Sequence, residues 1–311
     1  MISRPLKRWL ARLLLTAGAL AACAPALAEP LAVVGILQGS AVLVRQSTRF
    51  ALAEGAALAE GDIVETPAAA FVQIEFDDAT IVGVGEASRL ILKPRLTGLK
   101  GQATPRLYLL EGWLKLSAKP DAAAEFGVLA PAFELSAKGS SVVVRLQAKT
   151  YAVFAERGGA RLSQRDGARA NLALKSGDFA APVADRLSVA PRLPPEFTKD
   201  MPRPFRDPLP ARAALFAKRT ITLQPLGTIN YADVTAWLHS EPGVRLALSK
   251  QWQSRASDRT FRSELAANLS AHMEWERVLY PERFLPKKPK PPDSRASVPG
   301  LAASAAASQP N

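Results

Sequence analysis

From Leu31 to about Asp178 the apolar positions fall in short runs, punctuated by Gly, Pro, Asp and Ser. The run Phe71-Val72-Gln73-Ile74-Glu75-Phe76 alternates: Val72, Ile74 and Phe76 share one face, and Gln73 and Glu75 share the other with Phe71. That two-residue period is the signature of a strand with one face turned to a core. The runs "RLILKP", "RLYLLEGWLKL", "SVVVRL" and "YAVFAERGGARLSQ" are likewise rich in branched, leucine and aromatic side chains that suit a pleated surface. Turns are expected at Asp77-Asp78, Gly158-Gly159 and Asp166-Gly167, the last two pairs tolerating the positive φ of tight hairpins. Many short strands with no long helical pattern between them predict a mainly β fold of antiparallel hairpins over 29–180.

The pattern changes twice after Ala180. Residues 181–228 are Pro-rich and charged with little periodicity, which predicts an extended linker along the β-domain. Over 229–285 the period becomes helical. Asn230 with Asp233 makes a near capping box, ahead of Val234, Trp237 and Leu238 on one face. Pro242-Gly243 breaks that helix, Val244, Leu248 and Trp252 line the next, and Asp258 caps a third carrying Phe261, Leu265 and Leu269. Trp275, Val278, Leu279 and Phe284 are expected to close this small α-helical unit. The 286–311 tail, rich in Pro, Lys, Ala and Ser, has too little apolar surface to order itself and is expected to be disordered.

The first residues read as a targeting segment. A cationic start, the short apolar run "LLLTAGALAA" and small residues at Ala26-Leu27-Ala28 predict a secretory signal peptide over 1–28. No later run reaches the ~20 apolar residues of a spanning helix. Cys23, the only cysteine, lies in Leu20-Ala21-Ala22-Cys23, which resembles a bacterial lipobox, so cleavage after Ala28 and lipidation at Cys23 both stand as expectations. Past the leader no cysteine remains for a disulfide, thiolate metal site or nucleophile. The formal charge is +12, four cations of which belong to the leader, leaving +8. The cations read as spread along the chain, a solvated basic surface. No nucleic-acid motif is present.

Candidate chemistry centres on Leu58–Gly85, which holds Asp62, Glu65, Glu75, Asp77 and Asp78. A glycosidase needs one protonated and one ionised carboxylate across a cleft. Asp62 with Asp77 or Asp78 is the pair that the sequence nominates. The alternative is structural, with Asp62 accepting backbone N–H bonds at a turn, Asp77 and Asp78 ending a strand, and Glu65 and Glu75 on solvated faces. His239 and His272 lack metal-ligand or catalytic spacing, and each is placed near a helix end. Calcium-loop, phosphate-loop, dinucleotide and nucleophile-elbow motifs are absent, so no catalytic residue, metal ligand or cofactor is assigned. Trp237, Trp252 and Trp275 have helical spacing and read as core anchors, whereas Trp113 is a candidate exposed aromatic.

The order of weak motifs resembles the FecR domain. Gly61-Asp62-Ile63-Val64-Glu65-Thr66 is followed by Phe76-Asp77-Asp78-Ala79-Thr80 and Leu110-Glu111-Gly112, then by Leu129-Ala130-Pro131 and Lys138-Gly139-Ser140, and finally by Leu174-Lys175-Ser176-Gly177-Asp178. Asp78 stands where the family commonly has Gly, and Lys138 and Ser140 replace Arg and Thr. The resemblance spans Leu31 to Asp178 and implies an elongated antiparallel stack of short strands. It implies a periplasmic regulator's domain, here without the cytoplasmic anti-sigma segment and membrane span of siderophore-transport regulators. The expectation is an exported, non-catalytic binding, scaffold or signalling module of the cell envelope. Its partner would be an envelope protein or glycan, with membrane attachment only through Cys23. The alternatives are a peptidoglycan or polysaccharide binder using charge and Trp113, and, behind it, an enzyme acting on envelope glycan.

Overall fold

The computed structural model describes residues 30–96, 105–148, 150–165 and 170–285. The leader with Cys23 and Ala28, the Asp166-Gly167 turn and the 286–311 tail lie outside the described residues.

The first nine strands are β1 (Ala32–Gln38), β2 (Val42–Arg45), β3 (Thr48–Ala51), β4 (Ala57–Leu58), β5 (Ile63–Thr66), β6 (Phe71–Phe76), β7 (Ile81–Val84), β8 (Ser88–Leu92) and β9 (Leu107–Ser117). Then come β10 (Phe126–Leu129), β11 (Phe133–Ala137), β12 (Ser141–Gln147), β13 (Thr150–Arg157), β14 (Ala160–Gln164), β15 (Asn171–Leu174), β16 (Phe179–Val183), β17 (Arg186–Ala190) and β18 (Gln224–Thr228). One sheet runs β4-β1-β6-β7-β9-β12-β13-β16-β17. The other runs β18-β3-β2-β5-β8-β9-β10-β11-β14-β15. All described pairings are antiparallel except β10 on β9. The sheets face each other over an apolar core that includes Val34, Leu43, Val72, Ile74, Phe76, Leu114, Val144 and Leu162. The mainly β, antiparallel class and the Val72-Ile74-Phe76 face are as the alternation predicts.

Strand β9 joins the two sheets. Leu107–Glu111 pair with β8, and Gly112–Ser117 pair with β12. The change of sheet falls at Gly112, whose φ is +103° and where an added Cβ would meet Ser88 atoms at 2.1–2.5 Å. Only glycine meets both conditions.

Neither outer face of this sandwich is left to solvent. Residues 181–228, expected as a linker, instead carry part of β16, all of β17 and β18, and a strap between them. The strap begins with helix α1 (Pro195–Asp200) and continues through single turns at Arg203–Phe205 and Ala213–Phe216. Its Phe197, Met201, Phe205 and Leu209 pack on Phe71, Ile81, Trp113 and Val143 of the first sheet. Burying four such side chains contributes roughly 1.5–3 kcal/mol each. Prolines suit this role because a segment crossing a sheet face has few partners for backbone N–H groups, and proline has none to satisfy.

The helical residues cover the second sheet. They form α2 (Tyr231–Leu238), α3 (Pro242–Gln251), α4 (Arg259–Ala267) and α5 (Glu276–Leu279). Asn230 and Asp233 close a full capping box, Pro242 opens α3 rather than only ending α2, and Asp258 caps α4 through the Phe261 N–H at 2.9 Å. Trp237, Trp252, Trp275, Val244, Leu248 and Phe261 form one cluster with Val44, Ile63, Ile91, Tyr108 and Leu129 of the sheet. The tryptophans are core anchors, as their spacing indicates. Phe284 differs: it is exposed, with Arg277 stacked 4.8 Å from its ring centre.

Candidate functional site

The carboxylates Asp62, Glu65, Glu75, Asp77 and Asp78 come to rest in four places. Asp62 follows Gly61 in the turn before β5 and is 2% exposed. Arg45 grips it in a fork, Nε to Oδ1 at 3.0 Å and Nη2 to Oδ2 at 2.6 Å, and the Ala59 N–H donates to Oδ2 at 2.8 Å. Asp77 and Asp78 close the β6–β7 hairpin, where Thr80 N–H donates to Asp78 Oδ1 at 2.9 Å. Arg106 reaches both, at 3.0 and 3.5 Å. The turn roles expected for these three residues hold.

Glu65 and Glu75 do not lie on solvated faces. Glu75 is 6% exposed because the strap lies over it, and it accepts the N–H groups of Arg212 at 2.7 Å and Ala213 at 2.9 Å. Beside it Gln73 donates to the Pro210 carbonyl at 2.6 Å. Lys115, 1% exposed, donates to the Phe205 and Asp207 carbonyls at 2.7 and 3.1 Å and pairs with Glu156 at 2.9 Å. Three polar side chains on the outer face of β6 and β9, the strands on either side of β7, thus hold the strap's backbone. Glu65 faces the helical layer and accepts the Trp237 indole N–H at 2.7 Å. Burial pushes its carboxyl pKa up, against the pull of that indole and of Arg89.

A groove of about 580 Å³ runs along the seam where α3 meets the sandwich, lined by Arg45, Glu60, Asp62, Asp77, Lys93, Arg95 and Gln251 among others. It shares Gln46, Gly61, Arg95 and Gln251 with a second hollow of about 420 Å³ that reaches Leu96 and Lys250. The fold therefore brings the nominated pair Asp62 and Asp77 to one groove. Asp78 does not line it. Every carboxylate lining the groove has a cation at bonding distance: Arg45 on Asp62, Arg106 on Asp77, and Lys93 and Arg95 on Glu60 at 3.1 and 2.9 Å. Burial raises the Glu60 pKa, but the hydrogen bonds from Arg95 and Lys93 outweigh it and leave the carboxyl below its ordinary value. This is a lining of ion pairs, suited to hydrogen-bonding a ligand rather than to donating a proton. Glu60, Lys93 and Arg95 were not singled out by the sequence, because only the pairing of β5 with β8 brings them together.

The remaining candidates are structural. Trp113 is 7% exposed, its ring tilted against Phe197 at 5.1 Å and covered by Arg145 at 5.2 Å, so it offers no stacking surface. The strap hides it, and no local pattern around Trp113 announces a strap residue 84 positions away. His239 ends α2, with Nδ1 2.7 Å from the Thr235 carbonyl. His272 is fully buried between two single turns, its Nε2 3.3 Å from the Tyr231 hydroxyl, and burial pushes its pKa down. Among the described residues no group of three or more His, Cys, Asp or Glu is placed to hold a metal ion, and no helix is long and apolar enough to cross a membrane.

Two crystal structures of a candidate anti-sigma factor from Parabacteroides distasonis, at 2.50 and 1.65 Å resolution, align with this chain at 13% identity and a TM-score of 0.33. The alignment covers 41% of this chain and 57% of theirs, so the chain spans little more than half their length. No curated protein matches the sequence. Residues 62–161 match the family described as FecR protein, a narrower span than the motif order over Leu31–Asp178. The residues that match the FecR family, 62–161, are set within a β-sandwich that begins before them and ends after them.

Proposed function

We propose that the chain is an exported, non-catalytic binding and scaffold module of the bacterial cell envelope, which recognises an envelope protein at the seam groove. The FecR domain supports an envelope signalling or regulatory role. The observation that carries the non-catalytic reading is the fate of the carboxylates: each one that the sequence offered for acid–base work is a structural acceptor or an ion-pair member. The groove's exposed cationic heads, Lys93 and Arg95, and the amide of Gln251 give it polar contacts for a partner surface. Gln251 of α3 closes one side of it, and the rest of its lining comes from the sandwich. Export through the 1–28 leader, a periplasmic location and acylation at Cys23 as against cleavage after Ala28 belong to the same reading. Intact mass of the mature protein separates the last two.

The test is site-specific photocrosslinking in intact cells, with the reactive residue at Arg95 or Lys250 and a control at Glu282. A discrete protein adduct at the groove positions and not at the control is the expected result. Capture of peptidoglycan or polysaccharide fragments would replace it with the glycan-binding reading. No adduct at either groove position would end the groove's role.

A further inference from the structure

The excess positive charge is not spread along the chain as the composition suggests. Residues 230–285, the helical layer, carry seven Lys and Arg against seven Asp and Glu. Residues 186–219, the strap with the strand before it, carry eight against three. All eight of those cations are exposed, and none of them forms an ion pair among the described residues. One of the three carboxylates, Asp200, is already paired with Arg145 at 2.9 Å. The strap crosses the first sheet from β17 at one edge to β1 near the other. The contacts along the way are Phe197 on Trp113, Phe205 on Phe71, and Arg212 and Ala213 on Glu75. Its buried side anchors it to the sheet, so the cations point outward from one broad face of the molecule.

That face also carries apolar tips set among the cations. Val183, 64% exposed, is paired with Arg186 on the strap side of β16 and β17, and Leu215, 58% exposed, lies between Arg212 and Lys218-Arg219. A soluble polyanion has no use for exposed Val and Leu, whereas the headgroup region of a bilayer takes up both cations and short apolar tips. We propose that the strap face is a docking surface for an anionic lipid bilayer. It goes beyond the seam-groove reading and does not depend on it: no residue of 186–219 lines the groove.

The experiment is flotation of the full chain with vesicles of phosphatidylcholine alone, or with about one third phosphatidylglycerol, at about 0.15 M salt. Binding is expected to the anionic vesicles only, weakened at least about tenfold near 1 M salt. Arg192→Gln, Lys199→Gln, Arg203→Gln, Lys218→Gln and Arg219→Gln combined should weaken it at least about tenfold. Leu215→Ser with Val183→Ser should weaken it about threefold or more. Neutralising the tail (Lys287→Gln, Lys288→Gln, Lys290→Gln) should change it less than about threefold. If the five-site variant fails to fold by circular dichroism, Arg192→Gln with Lys199→Gln and Lys218→Gln with Arg219→Gln serve in its place. Absence of binding to anionic vesicles, or loss of binding in the tail variant with the strap variant unaffected, overturns the proposal. So does binding to isolated peptidoglycan without binding to vesicles.

Discussion

Asp62 commits both carboxylate oxygens to Arg45 and Ala59, so its removal is a test of structure before it is a test of chemistry. Asp62→Asn leaves a half-exposed Arg45 without its partner, and the urea midpoint should fall by the equivalent of about 1–2 kcal/mol. A residue working only as a catalytic acid would leave that midpoint unchanged. His272 gives a second prediction at this scale. It faces Tyr231, with His239, Glu274 and Arg245 as its charged surroundings, and burial holds its pKa below the ordinary 6.5. The unfolded chain therefore takes up a proton near pH 6.5 while the folded chain does not. Stability is fully present above that value and is lost as pH falls from about 6.5 through the folded pKa. Urea titrations at descending pH should show that slope in the parent chain and a shallower one in His272→Gln. The capping roles of Asn230 and Asp258 were legible because a cap is local: donor and acceptor lie three residues apart. The partners of Glu65 and Glu75 lie 172 and 137 residues away, beyond any local pattern.

At the scale of elements, the strap is the informative case. The alternation in β6 identifies which face meets the core, but it counts a polar residue on the other face as solvated. Gln73, Glu75 and Lys115 are polar for a different reason: they bond the carbonyls and N–H groups of a backbone lying across them. Lys115→Met keeps the aliphatic stem and removes the bonds to Phe205 and Asp207. Amides within 197–210 should then exchange at least about tenfold faster while β12 and β13 stay protected, because the loss is confined to one sub-global unit. Phe205→Ala, which empties a fully buried site, should lower global stability by about 3–5 kcal/mol if the strap unfolds with the sandwich, and by less if it detaches first.

For the molecule as a whole, the order of layers is strap, first sheet, second sheet, helices. Val44, Ile63, Ile91, Tyr108 and Leu129 form an apolar face of the second sheet that only the helical layer covers. A chain ending at 228 should therefore elute as aggregate in size exclusion, whereas separate modules joined by a linker would yield a soluble β-domain. The Trp237–Glu65, Trp252–Gln46 and Arg49–Asp233 contacts lie in the same interface, and their loss would leave buried polar groups unpaired as well.

The sequence by itself determined the class of the strand-rich and helical segments, since strand alternation, turn residues, helix caps and the order of FecR-like motifs are all written in near neighbours. It also offered turn roles for Asp62, Asp77 and Asp78 beside the catalytic alternative, for the same reason. Only the tertiary structure decided that the Pro-rich stretch is a strap, that Trp113 is covered and that Asp62 and Asp77 share a groove. It alone decided that the basic residues of 186–219 gather on one face. Each of these depends on which distant surfaces meet, and a periodicity records that a side chain is buried or polar without recording what lies against it.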